Sequence, residues 1–574
     1  MKVKKLTALI LSGLTAFSLT ACGNNTSDDG KVPDWAKNAT QIHVQNFPGG
    51  IGRKWLDEAA ERFQEANKDT PFETGKKGVY IDVSNTQADS STLTSSGYQI
   101  IFDERYSDIY ELAQSQSILP LDDIMTEVGA DGVTLESKIR EGAREGLKGS
   151  DGKYYALPHY EWFPGLIYDK DAFDNHNWYI AKEETGNVAD TDYGTLYLVE
   201  DENTDKSCGP DGVYGTEDDG LPSSLEEMII LAKFIKDDVN MAAFTVSGKY
   251  LYYTNYLVEG LWASLAGYDE LQTVYSLDGE VEVVTGYTNE NLFTGIDYVK
   301  KPITEKTTIT KANGYLAYRS AARYYATAFI QIMMNEGFFA SEVSSQDQHT
   351  AVQKKFIDGG LDDRNHKPRA FLLEGSYWYN ESVDVDNFGE YNKKKPDDAG
   401  EREVRYMRLP VLVTGSVEAK ADGAEADKAT LLDNGIAYAY INANIKNNTD
   451  LVNACKAFLK FLYSDAELRA FTALTGITRP INYTLSGTEL NGLSSYQQDV
   501  YNLSRKANIV YYGSGDQEIK RIQNALKIHF SSPSITPTFG STKYSSYYAA
   551  YKAGKTVEEV FANTGISEST WTLS

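Results

Sequence analysis

At 574 residues, 41% hydrophobic and 24% charged, with 46 Gly and 15 Pro, the chain has a globular composition and enough length to bury a large core. Disordered, collagen-like and disulfide-framework classes are excluded. Lys plus Arg total 55 against 82 Asp plus Glu, a formal charge of −27, so the mean field repels phosphate backbones and no nucleic-acid partner is expected. Tyrosine dominates the aromatics, 40 against 22 Phe and 7 Trp, and its ring offers both an apolar face and a hydroxyl, a combination suited to sugars.

In chain order, Lys2, Lys4 and Lys5 precede a mostly apolar stretch from Leu6 to Phe17, closed by Leu19-Thr20-Ala21-Cys22. The run is shorter than the ~20 residues a membrane-spanning helix needs, which favours a cleaved signal. The segment 1–22 resembles the signal and lipobox of bacterial lipoproteins. That resemblance implies lipidation of Cys22 and an anchor on the outer face of the bacterial cell membrane, with two acyl chains giving stable attachment. Residues 23–38 begin small, polar and acidic, as a flexible tether does. Of the other two cysteines, Cys455 shares an apolar helical face with Leu451, Phe458, Leu459 and Leu462 and reads as a small buried hydrophobe, while nothing supports a disulfide to Cys208.

Strand-like and helix-like runs alternate from Gln41 onward. Gln41 to Phe47 reads as a strand, Gly49-Gly50 as a turn, and Lys54 to Asn67 as a helix with Trp55, Leu56, Ala59, Ala60, Phe63 and Ala66 on one face. Val79 to Ser84 and Gln99 to Phe102 are further short strands, so the pattern predicts an α/β sheet whose ligands sit beyond the strands' carboxyl ends. Phe47 to Arg53, with Gly49, Gly50 and Gly52, and Asp103 to Tyr106 are such positions. A second block begins near Pro158, with a strand at Leu166 to Tyr168, a polar, acidic insertion at 179–220, and a helix from about Leu225 behind the Ser224 to Glu227 capping box. Ala370 to Leu373, Arg405 to Val413 and Ile436 to Ile441 read as strands, and Asp450 and the Ser464 to Glu467 capping box open two consecutive helices.

Four segments in order, 49–69, 157–173, 371–382 and 433–482, resemble extracellular solute-binding proteins of carbohydrate ABC importers, the family that includes maltose-binding proteins. The resemblance covers most of 39–574 and is weakest at 179–220, 278–315 and 383–403. It implies a two-lobed α/β fold of the class II periplasmic-binding-protein kind, with discontinuous lobes joined by hinge crossovers. By that analogy one lobe comprises 39–158 with 411–482, and the other 159–410 with 483–574.

A sugar needs flat aromatic platforms for its C–H faces and fixed polar groups for its hydroxyl rim. Glu161 and Trp162, in Tyr160-Glu161-Trp162-Phe163, lie where the resemblance puts ligand-contacting side chains. Glu374, Tyr377 and Trp378 follow the strand at 370–373, where the family has an aromatic that stacks on the sugar. Asp103, Arg105 and Tyr106, with Glu104, follow the strand ending at Phe102. Tyr253 and Tyr256 belong to a further aromatic stretch with Tyr252, whereas Trp262 shares a stripe with Leu257, Leu261 and Leu265 and reads as core.

Residues 208–220 are rich in Gly and Asp, and Asp211, Glu217, Asp218 and Asp219 are candidates for a structural Ca²⁺, although an EF-hand register fails because Val213 and Gly215 would fall on ligand positions. Neither a metal-binding His pattern, a nucleophile elbow nor a phosphate-cradling loop is present, and no other cofactor is expected. A glycosidase needs two carboxyls at a defined separation, for which Glu161, Glu374 and Glu381 are the candidates. The expectation is a monomeric, non-enzymatic, lipid-anchored receptor that captures an oligosaccharide between its lobes and hands it to an ABC permease. A surface glycan-degrading enzyme, or a receptor for a non-sugar solute such as a peptide, is the alternative.

Overall fold

The computed structural model describes residues 32–571 except 48, 105–107, 130–131, 185, 202, 238–239, 397–399, 435–436, 512–518 and 520–536. Cys22, the lipobox and residues 23–31 of the tether lie outside the described residues, as do Arg105 and Tyr106.

The first sheet is built around β1 (Thr40–Asn46), with β2 (Val79–Asn85) and β3 (Ile100–Asp103) parallel on either side of it. Alternation in β1 buries Ile42 and Val44, and the helix Lys54–Ala66 lays Trp55, Leu56, Ala59, Ala60 and Phe63 into the same core. β4 (Leu157–Pro158) ends this first pass of the chain.

The second sheet centres on β5 (Pro164–Asp169), buried at every position as an interior strand with both faces covered must be. Within the polar insertion, β6 (Asn187–Thr191) and β7 (Gly194–Leu198) form a hairpin that packs on the helix Leu225–Asp237. That helix starts behind a formed capping box, the Glu227 N–H donating to Ser224 and the Ser224 N–H to the Glu227 carboxylate. β8 (Phe244–Thr245) leads to the long helix Tyr253–Ser276, which is broken by a kink at Gly267 (φ +72°), and 278–315 contains an extended hairpin of β9 (Gly279–Phe293) and β10 (Ile296–Ile309). β11 (Phe371–Gly375) and β12 (Val404–Tyr406) complete the sheet in the order β12-β5-β11-β8. The strand expected to run to Val413 stops at Tyr406, ahead of Pro410, which has no N–H for a ladder.

β13 (Thr430–Asp433) pairs with β15 (Asn508–Tyr511) as a small ribbon, whereas β14 (Tyr438–Ile441), between them in sequence, inserts antiparallel beside β3 to give the first sheet its order β2-β1-β3-β14-β4. The following helices are Thr449–Leu462 and Asp465–Thr475, and Asn448 rather than Asp450 caps the first. Chain therefore passes from the first sheet to the second at 159–163, returns between β12 and β14 by way of β13, and after Thr475 leaves the helices beside the first sheet for β15 next to β13. These passages bond to one another: the Trp162 N–H donates to Asp433, the Asn434 N–H to the Trp162 carbonyl, and the Glu161 N–H to the Thr478 carbonyl. Both Cys208 and Cys455 are buried and free. Among the described residues no helix is long and apolar enough to cross a membrane.

Candidate functional site

A cavity of about 400 Å³ opens where the two sheets meet, within the size range of small-ligand sites. One side comes from the carboxyl ends of β1 and β3, through Phe47, Gly49, Gly50 and Glu104. Gly50 has φ +62°, and a Cβ there would stand 2.6 Å from Glu104 Oε2 and 2.9 Å from the Tyr160 hydroxyl, so only glycine lets this turn close over the two polar groups. The Tyr160 hydroxyl donates to Glu104 at 2.8 Å, and His159 Nε2 lies 3.6 Å from the other Glu104 oxygen. Burial, and then the charge of Arg479, hold the His159 pKa well below its ordinary value, so Glu104 faces a neutral imidazole.

The opposite side is aromatic. Trp162 comes from the first passage between sheets, Tyr252, Tyr253 and Tyr256 from the start of the helix Tyr253–Ser276, and Tyr377 from the end of β11. The Trp162 ring stands edge-on to Tyr256 at 5.3 Å and to Tyr377 at 5.2 Å, while Tyr253 and Tyr256 stack at 5.2 Å. Interlocked rings of this kind are rigid platforms that lose little entropy on binding.

Polar groups complete the wall. His349 Nε2 lies 3.1 Å from Glu381 Oε1, and Gln353 donates to the other Glu381 oxygen at 2.9 Å and to Glu374 at 3.0 Å. Burial alone would lower the His349 pKa, but the hydrogen bond and charge of Glu381 more than offset it and raise it. Glu374 is buried and held by Gln353; burial, reinforced by the charge of Glu381, raises its pKa. Glu259, also in the wall, accepts from Asn434 at 2.6 Å, and burial drives its pKa well above the carboxylate range.

The expected residues thus divide. Trp162, Tyr377, Tyr253 and Tyr256 line the cavity. Trp378 does not: it is completely buried, edge-on to Tyr496 at 5.6 Å and to Phe356 at 6.1 Å, because the first turn of the helix Trp378–Asp384 rotates it into the core while Tyr377 faces the cavity. Glu161 is likewise no cavity residue. Its two oxygens accept from Thr478 at 2.6 Å and Tyr511 at 2.9 Å, with Arg140 and Arg505 at 3.6 and 3.7 Å, which makes it a pin between passages of the chain. Asp103 is buried and bonded to the Tyr440 hydroxyl at 3.3 Å, and Glu374 stands one layer back from the cavity. Trp262 is core, its indole N–H donating to Ser320.

Tyr250, Asn255, Glu259, His349 and Asn434 also line the cavity without having been singled out. Helical spacing pointed to one of them, since Tyr252, Tyr256 and Glu259 recur at intervals of four and three residues. His349 and Asn434 gave no local signal and arrive by tertiary packing.

In the acidic loop, Asp211 and Asp218 are buried and accept from main-chain N–H groups of the loop, Thr216 donates to Asp218, and Gly215 N–H donates to Asp219. Burial, with the charge of Asp211 adding to it, pushes the Asp218 pKa up to about 6. Glu217 stands exposed, apart from the two buried carboxylates. Among the described residues, the His, Asp and Glu atoms converging within 4.8 Å are those of Asp358, His366 and Glu390, and Lys354 already bridges Asp358 and Glu390.

No family model matches the sequence, and no curated protein matches it. Solved structures do. A chitin oligosaccharide binding protein is 14% identical, with a TM-score of 0.52 and coverage of 93% of this chain and 100% of that one. A probable secreted solute-binding lipoprotein from Streptomyces coelicolor is 12% identical, with a TM-score of 0.51 and coverage of 93% and 99%. A structure from work on xylan utilization by Caldanaerobius polysaccharolyticus is 14% identical, with a TM-score of 0.51 and coverage of 92% and 99%. The fold is therefore that of the two-lobed, maltose-binding-protein-like solute-binding proteins, and the cavity lies at the junction of its two sheets.

Proposed function

We propose that the protein is an extracellular receptor that captures an oligosaccharide between its lobes and delivers it to the permease of an ABC importer. The observation that carries this reading is the cavity wall, in which aromatic platforms face the Gly50 turn and the Glu104 carboxyl beneath it, the pairing of surfaces that a sugar's C–H faces and hydroxyl rim require. The chitin oligosaccharide binding protein among the structural neighbours supports the same ligand class. The protein acts as a monomer tethered through a lipid on Cys22, with the sugar bridging both lobes and so favouring the closed state. No bond is made or broken. Of the carboxyls named as candidates for a glycosidase pair, Glu161 and Glu374 are buried and do not line the cavity, which supports binding over hydrolysis.

Isothermal titration of the soluble form beginning at Gly23 against plant, starch-derived and host oligosaccharides, followed by chromatography, tests the proposal. Saturable one-to-one binding with the sugar recovered intact is expected. Shortened products would make the protein an enzyme, and silence across the panel would remove the sugar reading.

A further inference from the structure

Both oxygens of Glu381, a residue of the cavity wall, are held from one neighbouring helix. His349 and Gln353 stand four residues apart on the helix His349–Asp358 and so share a face. From that face His349 Nε2 lies 3.1 Å from Oε1 of Glu381, and Gln353 Nε2 donates to Oε2 at 2.9 Å. His349 lines the cavity, whereas Gln353 is completely buried behind it and does not.

The Gln353 amide is fixed in turn. Its Nε2 also donates to Glu374 at 3.0 Å, and its Oε1 accepts from the Ser382 hydroxyl at 3.0 Å, so a flipped amide would set its oxygen against two carboxyl groups. Asn387 donates to Ser382 Oγ at 3.4 Å and to the Thr350 carbonyl at 3.0 Å. Asn387, Ser382, Gln353 and Glu374 are all buried, so water does not compete for these bonds and each one orients the next, from Asn387 through Ser382 and Gln353 to Glu381. Such a chain is a poor source of stability, because apolar residues of the same shape hold two helices together as well or better. What it supplies is direction. A carboxylate offers about four lone-pair sites, and His349 and Gln353 occupy one on each oxygen of Glu381, which leaves about two for a ligand in the cavity.

Building on the sugar-receptor reading, we infer that Gln353 is a positioning residue for recognition: it touches no ligand and acts by fixing the Glu381 carboxylate, which accepts a hydrogen bond from a hydroxyl of the bound sugar. An acceptor already held in place needs no ordering when the sugar arrives, which is the advantage of preorganisation. The test is a double-mutant cycle read by calorimetry, with malto-, cello-, xylo- and chito-oligosaccharides and lacto-N-tetraose screened first and the tightest binder taken forward. Gln353→Met keeps the side chain's length and removes both N–H donors. It is expected to weaken binding at least about tenfold when Glu381 is present and less than about twofold in a Glu381→Ala background. Melting curves establish that each variant is folded. Where Gln353→Met is not, Ser382→Ala takes its place, and a loss of at least about threefold is expected, again only while Glu381 is present. A purely structural Gln353 would lower the melting temperature and leave affinity unchanged, or lower affinity equally with and without Glu381. Either result overturns the positioning role and leaves the receptor reading standing. Silence from every sugar removes both.

Discussion

The cavity wall and the passages of chain behind it draw on the same residue types for opposite ends. Glu161 and Trp162 are adjacent, yet the carboxylate is pinned by Thr478, Tyr511 and two arginines while the indole opens onto the cavity. Tyr377 and Trp378 are adjacent too, and there the tyrosine is in the wall and the tryptophan in the core. Glu259 is buried like Glu161, but it has one amide for company where Glu161 has two hydroxyls and two guanidinium groups. A buried carboxyl whose partners are all supplied by the protein is structural, and one left short of partners beside a cavity is available to a ligand.

The sharpest way to break this contrast is to truncate its structural half. Trp378→Ala is expected to cost about 3–5 kcal/mol of stability through the cavity it leaves, while sugar affinity of the folded molecule stays within about threefold, as melting curves and calorimetry will show. Glu161→Gln leaves Arg140 and Arg505 facing an uncharged amide, and a loss of about 3 kcal/mol is expected on denaturant unfolding. The functional half behaves conversely: Trp162→Ala should weaken sugar binding at least about tenfold, some 1.4 kcal/mol, with an unchanged melting temperature.

Smaller effects follow from protonation and from the acidic loop. The raised pKa of His349 contributes stability that is fully present below its ordinary value of 6.5 and is lost as pH rises through the folded value. The melting-temperature gap between the wild type and His349→Gln should therefore narrow as pH increases from about 6 to 8, and a constant gap would count against the His349 to Glu381 pairing. The smallest shift belongs to residues 211–219, whose carboxylates already have internal donors. Added Ca²⁺ or chelator is expected to leave the melting temperature where it is, whereas a rise with Ca²⁺ that chelator reverses would assign an ion to the loop.

Much of the scaffold was legible because it is local. The buried face of the helix Lys54–Ala66, the capping box before Leu225 and the β1, β2 and β3 strands follow from periodicity and end signals that tertiary packing then respects. Aromatic clustering led to Trp162, Tyr253, Tyr256 and Tyr377, but it cannot say which of two neighbouring rings turns inward, since that depends on where a helix begins; hence Trp378. The structural role of Glu161 is not legible locally, because its partners come from residues 140, 478, 505 and 511, far away in sequence. The same holds for His349 and Asn434, which reach the cavity only through tertiary packing.

In the proposed complex a sugar lies between the aromatic wall and the turn at Gly50. A crystal structure of the protein with the tightest ligand from the calorimetric panel tests it most directly. The expected result is an intact oligosaccharide with a ring against Trp162 and its hydroxyl groups on Glu104, Glu259 and Glu381. A sugar bound elsewhere with this cavity empty, or one cleaved within it, would contradict it.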